Sequence, residues 1–249
     1  MRLCIQVSVA LLLFISACNP VLPEPDEVEY LRAVVAENLL PYATVDVPSR
    51  ENIQILDDGG LEMVLFPGQS LQHGGIRAEI SVDYPYQEGD TVRYQWRIRL
   101  PEDFPPDPQN RWWVIAQWHD QPDRTQGETW DNFPSNSPPV LFGYGNLVGQ
   151  DVLSVSYGPT QVLAGLIPIR RGEWITLTAE ITWSQRADGA LRVFLDDDTK
   201  PIITTTGMNM LNGFQHYFKL GMYRHPDINS ENHLQIGDVY IEKLETQND

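Results

Sequence analysis

The sequence has two cysteines, half as many cations as acids, and no long apolar run. Each shortage excludes something. Cys4 falls in an N-terminal stretch that reads as a leader, with Arg2 as its positive start and Val7 to Ile15 as an apolar run broken only by Ser8. A run of that length is too short to span a bilayer stably. With Cys4 in the leader, the folded part has no thiol pair for a disulfide, and its core must hold it together alone. Lysine and arginine total 17 against 34 aspartate and glutamate, a formal net charge of -17 at pH 7. That balance argues against a nucleic-acid partner. No Walker loop, GxGxxG, HExxH or CxxC pattern occurs, so no cofactor is expected.

The second cysteine closes Ile15-Ser16-Ala17-Cys18, which resembles the lipobox of bacterial lipoproteins. The resemblance implies cleavage before Cys18 and lipidation of its thiol, which would tether the protein to a membrane without a spanning helix. Asn19 in the next position leans toward the outer membrane of a Gram-negative cell envelope. Residues 18–46, rich in proline and acid, read as a tether with room for a short helix over residues 29–40. The expected division is therefore a signal peptide over 1–17, a tether over 18–46 and a folded domain over 47–249.

What is abundant in that domain is β-signal. Seven tryptophans and 42% hydrophobic residues can fill a core between two sheets. Short alternating segments separated by Gly, Pro, Asn and Asp predict an all-β sandwich. Strands are expected at 77–83, 91–100, 112–118, 140–144, 152–157, 174–184, 191–195, 217–223 and 235–243. In one of them Arg93, Gln95, Arg97 and Arg99 share a face opposite Val92, Tyr94, Trp96, Ile98 and Leu100, and a solvated row is the commoner meaning of such arginines.

Three segments far apart in sequence carry polar groups at the two-residue spacing that puts side chains on one face of a strand. They are Arg77-Ala78-Glu79, Gln117-Trp118-His119 and Tyr217-Phe218-Lys219-Leu220-Gly221-Met222-Tyr223-Arg224. Together they resemble the jelly-roll polysaccharide lyases, whose alginate-lyase branch has Arg-(Ser/Thr)-Glu, Gln-(Ile/Val)-His and Tyr-Phe-Lys-Ala-Gly-x-Tyr-x-Gln in that order. The likeness extends loosely over residues 70–245. Leu220 in place of Ala, Arg224 after the second Tyr and the missing final Gln lie closer to the glucuronan-lyase and heparin-lyase types.

That resemblance implies a concanavalin-like β-jelly-roll of two antiparallel sheets and β-elimination on a uronic-acid polymer, an anionic polysaccharide. The chemistry must remove the C5 proton and expel O4, so the C6 carboxylate has to be neutralised. Arg77 and Gln117 suit that task. His119, of a type that titrates near about 6.5, suits the base, and Tyr223 suits the acid at O4. For the opposite C5 configuration Tyr223 can serve as both. Glu79 would orient an Arg or Lys, while Lys219, Tyr217 and Arg224 would bind substrate. Trp113 shares the parity of Gln117 and His119 and is the best stacking candidate, ahead of Trp112, Trp118 and Trp130. His73 is the best of the remaining histidines.

Three rival readings are a non-catalytic carbohydrate-binding module of the same fold, a laminarinase-type hydrolase, and a surface lipoprotein with a structural role, which leaves the three polar segments unexplained. The hydrolase needs Glu-x-Asp-x-x-Glu on a strand, which none of the expected strands carries. The run Asp196-Asp197-Asp198 and Asp238 are weak candidates for a structural calcium. A monomer is expected.

Overall fold

The computed structural model describes residues 25–134 and 136–245. Alternation of apolar and polar residues builds fourteen strands among them. In chain order these are β1 (Ala43–Asp46), β2 (Ile53–Ile55), β3 (Leu61–Leu65), β4 (Ile76–Val82), β5 (Thr91–Arg99), β6 (Trp113–His119), β7 (Val140–Leu147), β8 (Gln150–Tyr157), β9 (Val162–Pro168), β10 (Ile175–Thr182), β11 (Ala190–Leu195), β12 (Ile203–Thr206), β13 (Tyr217–Arg224) and β14 (Asn232–Leu244). They form two seven-stranded sheets, β1-β4-β13-β6-β7-β8-β9 and β12-β11-β10-β5-β14-β3-β2, with antiparallel pairing throughout. The fold is the all-β jelly-roll sandwich that the sequence led us to expect.

The two sheets meet over an aromatic centre. Trp96 of β5 packs edge-on against Phe142 of β7, with ring centroids 5.3 Å apart, and Trp118 of β6 lies 4.8 Å from Phe218 of β13. All four rings are buried. Each such side chain removed from water contributes about 1.5–3 kcal/mol, which a domain without disulfides requires. The Arg93 to Arg99 row lies on β5, in the sheet that does not form the groove described below. Each of its arginines meets an acid: Arg93 pairs with Glu180 and Glu242, Arg97 with Asp238, and Arg99 with Asp58.

The expected tether is corrected over most of its length. Residues Pro25–Val34 form a helix, α1, followed by a 3-10 turn over Glu37–Tyr42 and then β1. Leu31, Val34, Val35 and Leu39 are buried in the core, and Val35 bridges Val239 of β14. Spacing of i, i+3 and i+4 at residues 31, 34 and 35 is a helical apolar stripe. It is hidden by the proline and acid density just before it. Cys18 and the proposed leader lie outside the described residues.

Five strands were not expected: β1, β2, β3, β9 and β12. Four of them are short or sit at a sheet edge, where fewer buried positions repeat. β3 is buried on both faces along its whole length, so it shows no alternation to detect.

Candidate active site

Cross-strand register brings the three polar segments together. β13 runs between β4 and β6, and it sets Tyr223 opposite Arg77, Gly221 opposite Glu79, Lys219 opposite Gln117, and Tyr217 opposite His119. Directly opposed residues on one sheet face stand close enough to interact. The result is one polar strip along a groove of about 1130 Å³, whose walls include Arg77, Gln117, His119, Tyr217, Lys219 and Tyr223.

Gly221 makes this register possible. Its φ is +149°, and a Cβ there would collide with the Ala78 carbonyl oxygen, so β13 approaches β4 more closely than any side chain would permit. The β13–β6 register shifts between Leu220 and Tyr223, beside this glycine. Gly75 has a similar role, since a Cβ on it would strike the Tyr223 ring.

Four charges sit at the centre of the strip. Lys219 Nζ donates to Glu79 at 2.9 Å and to Asp46 at 2.5 Å, while Arg77 Nη1 donates to Asp46 at 3.2 Å and lies 3.6 Å from Glu79. Glu79 is buried and also accepts from Gln117 Nε2 at 2.7 Å, which fixes how that amide points. Burial disfavours the charged form of Lys219, but Glu79 and Asp46 outweigh it and raise its pKa. Burial likewise works against the Asp46 carboxylate, yet Lys219 and Arg77 prevail and hold its pKa below the usual value.

Asp46 escaped the sequence reading because it ends β1, inside the supposed tether. The only signal was Ala43-Thr44-Val45-Asp46 itself, too short to separate from a linker.

His119 Nδ1 lies 2.8 Å from the Asp120 carbonyl oxygen and 2.9 Å from its carboxylate. Both neighbours are acceptors, so Nδ1 carries a proton, and in the neutral ring Nε2 is the nitrogen with the lone pair. Asp120 is buried; burial opposes its ionisation, but hydrogen bonds from His119 and Asn136 lower its pKa. It too was missed, because neighbours along a strand ordinarily point to opposite faces and His119 is the last residue of β6. Tyr217 stacks on the His119 ring with centroids 5.9 Å apart.

Tyr223 is a phenol held by its surroundings. Its hydroxyl donates to the His73 carbonyl oxygen at 2.6 Å, and the Arg77 guanidinium lies over its ring at 4.8 Å. Burial raises its pKa, with Glu79 adding to the rise, and together they outweigh Arg77 and Lys219. His73 contributes that backbone carbonyl and also lines the groove.

Several expected site residues lie elsewhere. Trp113 is 3% exposed and packs on Phe104, Tyr144 and the Arg224 guanidinium. An irregularity between Val114 and Ala116 breaks the two-residue parity that grouped it with Gln117 and His119. Arg224 is fully buried on the face opposite Tyr223, donates to Asn232 and to the Ser230 carbonyl, and has its pKa lowered to about 10 by burial and by Arg111. Neither reaches the groove. Aromatic surface there comes instead from Trp130, which is 55% exposed, with Phe133 and Tyr42.

Two of the calcium candidates have other partners. Asp196 accepts from the Thr176 backbone and Asp238 from Arg97, and among the described residues no three His, Cys, Asp or Glu are grouped to hold a metal ion. The hydrolase spacing does occur once, as Glu24, Asp26 and Glu29. Asp26 and Glu29 fall on α1 and not on a strand.

A sandwich whose sheet carries an Arg, Gln, His, Lys and Tyr strip along an open groove has the form of an enzyme acting on long carbohydrate chains. The family model for polysaccharide lyases matches residues 42–244, and the chain belongs to that family; it is a polysaccharide lyase. No curated protein matches it in sequence.

Among solved structures it resembles an endo-β-1,4-glucuronan lyase from the fungus Trichoderma reesei, at 17% identity and TM-score 0.55, covering 81% of this chain and 87% of that one. A marine alginate lyase from Zobellia galactanivorans gives 14% identity and TM-score 0.55, covering 79% and 82%. The catalytic domain of a glycoside hydrolase from Coprinopsis cinerea also matches, at 15% identity and TM-score 0.52, covering 81% and 77%. Likeness this remote shows the fold alone, and the fold serves more than one chemistry.

Proposed function

We propose that this lyase cuts a uronic-acid polymer by β-elimination, with Arg77 and Gln117 holding the C6 carboxylate, His119 as base and Tyr223 as acid. The observation that carries this reading is the register of β13 against β4 and β6, which aligns these groups along one groove.

His119 Nε2 takes the C5 proton. The electron pair left behind forms the C4–C5 double bond as the C4–O4 bond breaks, and Tyr223 gives its phenolic proton to O4. Charge that builds on the carboxylate is met by the Arg77 guanidinium and the Gln117 amide. Asp120 stabilises the imidazolium that forms on His119. Assignment of the acid to Tyr223 is supported by its donation to the His73 carbonyl, a contact only the protonated phenol can make.

Glucuronan is the first substrate to test, followed by alginate, because the similar structures include lyases named for both. Cleavage is followed by ultraviolet absorbance of the new double bond, with heparin and hyaluronan in parallel. A signal with one polymer that disappears in His119→Ala and in Tyr223→Phe supports the reading. Binding of a polymer by the wild type with no such signal overturns it.

On this reading the protein acts at the cell envelope, anchored by lipid on Cys18 in the outer membrane of a Gram-negative cell. The motif Ile15-Ser16-Ala17-Cys18 supports this. Labelled palmitate should enter the wild type and not Cys18→Ala.

A further inference from the structure

We propose that Asp46 is an internal counter-ion, occupying Arg77 and Lys219 in the free enzyme and giving way when a substrate carboxylate arrives. This rests on the reading of the groove as a uronate site.

Arg77 and Lys219 carry two positive charges, and Glu79 and Asp46 carry two negative ones. The cluster at the centre of the groove is therefore neutral, in a protein whose net charge is -17. A neutral cluster on an acidic protein does not attract a polyanion.

The two acids are not equivalent. Glu79 is 1% exposed and also accepts from Gln117, whereas the Asp46 side chain is 34% exposed and belongs to the groove wall. Asp46 alone therefore stands where a ligand carboxylate would reach both cations. It presents the same chemical group as the C6 carboxylate of a uronate. Two carboxylates crowding one Nη1 and one Nζ repel each other, so a bound uronate and the Asp46 contacts compete.

The means of yielding is also present. Asp46 is the last residue of β1, an edge strand only four residues long. The chain leaving it runs through residues 47–49 before the next turn. Edge strand ends are where backbone can move at least cost.

Competition predicts an unusual direction of effect. Binding of tetraglucuronate is measured by calorimetry in a Tyr223→Phe background, which slows turnover, with and without Asp46→Asn. Removing the internal competitor should tighten binding by roughly five-fold or more, and Asp46→Glu should restore weak binding. Unchanged or weaker binding in Asp46→Asn overturns the proposal and leaves the lyase reading standing.

A second measurement needs no change at Asp46. Carboxyl carbon NMR of Asp46 should show its pKa rising when tetraglucuronate binds, since it loses its two cations; an unchanged or lower value overturns displacement. Absence of binding in every variant, together with no double-bond signal from any polymer, removes both the substrate reading and this inference.

Discussion

The hydroxyl of Tyr223 donates to the carbonyl oxygen of His73 over 2.6 Å, across the gap between β13 and the turn that precedes β4. A carbonyl oxygen accepts and never donates, so the free enzyme stores a proton on Tyr223 at the edge of the groove. The phenol is poised to give that proton away.

Replacing Tyr223 with Phe keeps the ring under the Arg77 guanidinium and removes only the proton. We expect kcat to fall by about 10²–10⁴ with the fold intact, and His119→Ala to fall within the same range. Steady-state kinetics with circular dichroism on each variant checks this, and near-normal turnover in Tyr223→Phe would remove Tyr223 from the acid role.

The alkaline limb of the pH profile follows from the same group. Burial raises the Tyr223 pKa, so the acid stays protonated beyond the usual tyrosine value near about 10. Activity should therefore hold through moderately alkaline pH and fall only where the phenol ionises. A kcat profile that drops in the range of an ordinary or depressed phenol contradicts the assignment.

Stability should decline on the acid side because of His216. Its Nδ1 contacts the Phe214 carbonyl and its Nε2 accepts from the Leu211 backbone, so the ring is buried in its neutral form. Burial pushes its pKa down to about 4 from an ordinary 6.5, and the backbone contact only partly offsets this. Between those values the unfolded chain binds the extra proton, so stability present above pH 6.5 is lost as pH falls toward 4. The loss is about 3 kcal/mol. Urea denaturation at several pH values should show this slope in the wild type and a shallower one in His216→Gln.

Two tryptophans should separate stability from binding. Trp113→Ala opens a cavity among Phe104 and Tyr144 and should cost about 3–5 kcal/mol. Trp130→Ala, at a half-exposed position on the groove, should leave the melting temperature unchanged and raise KM. The opposite pattern would return Trp113 to the groove.

Much of this protein is legible before folding. Alternation in residues 91–99 requires one buried and one polar face whatever the neighbours are, and two-residue spacing in residues 77–79, 117–119 and 217–223 sorts chemistry from core. Those are local properties of a strand, since successive side chains point to opposite sides. The same rule failed at Trp113, where an irregularity in β6 inverted the parity, and at Asp120, where the end of the strand let a neighbour turn back toward the His119 ring.

What only the tertiary structure decided is which strands are adjacent. Nothing in residues 43–46 indicates that they pair with β4, or that Asp46 ends up on the same two cations as Glu79. Residues 25–42 join the fold because α1 can bury Leu31 and Val34 against a core assembled from strands far along the chain. Sequence alone set the faces of the strands, because side-chain alternation is local. The register of β13 against β4, the meeting of Lys219 with Asp46 and Glu79, and the contact of Tyr223 with His73 depend on residues more than a hundred positions apart, which no local pattern encodes.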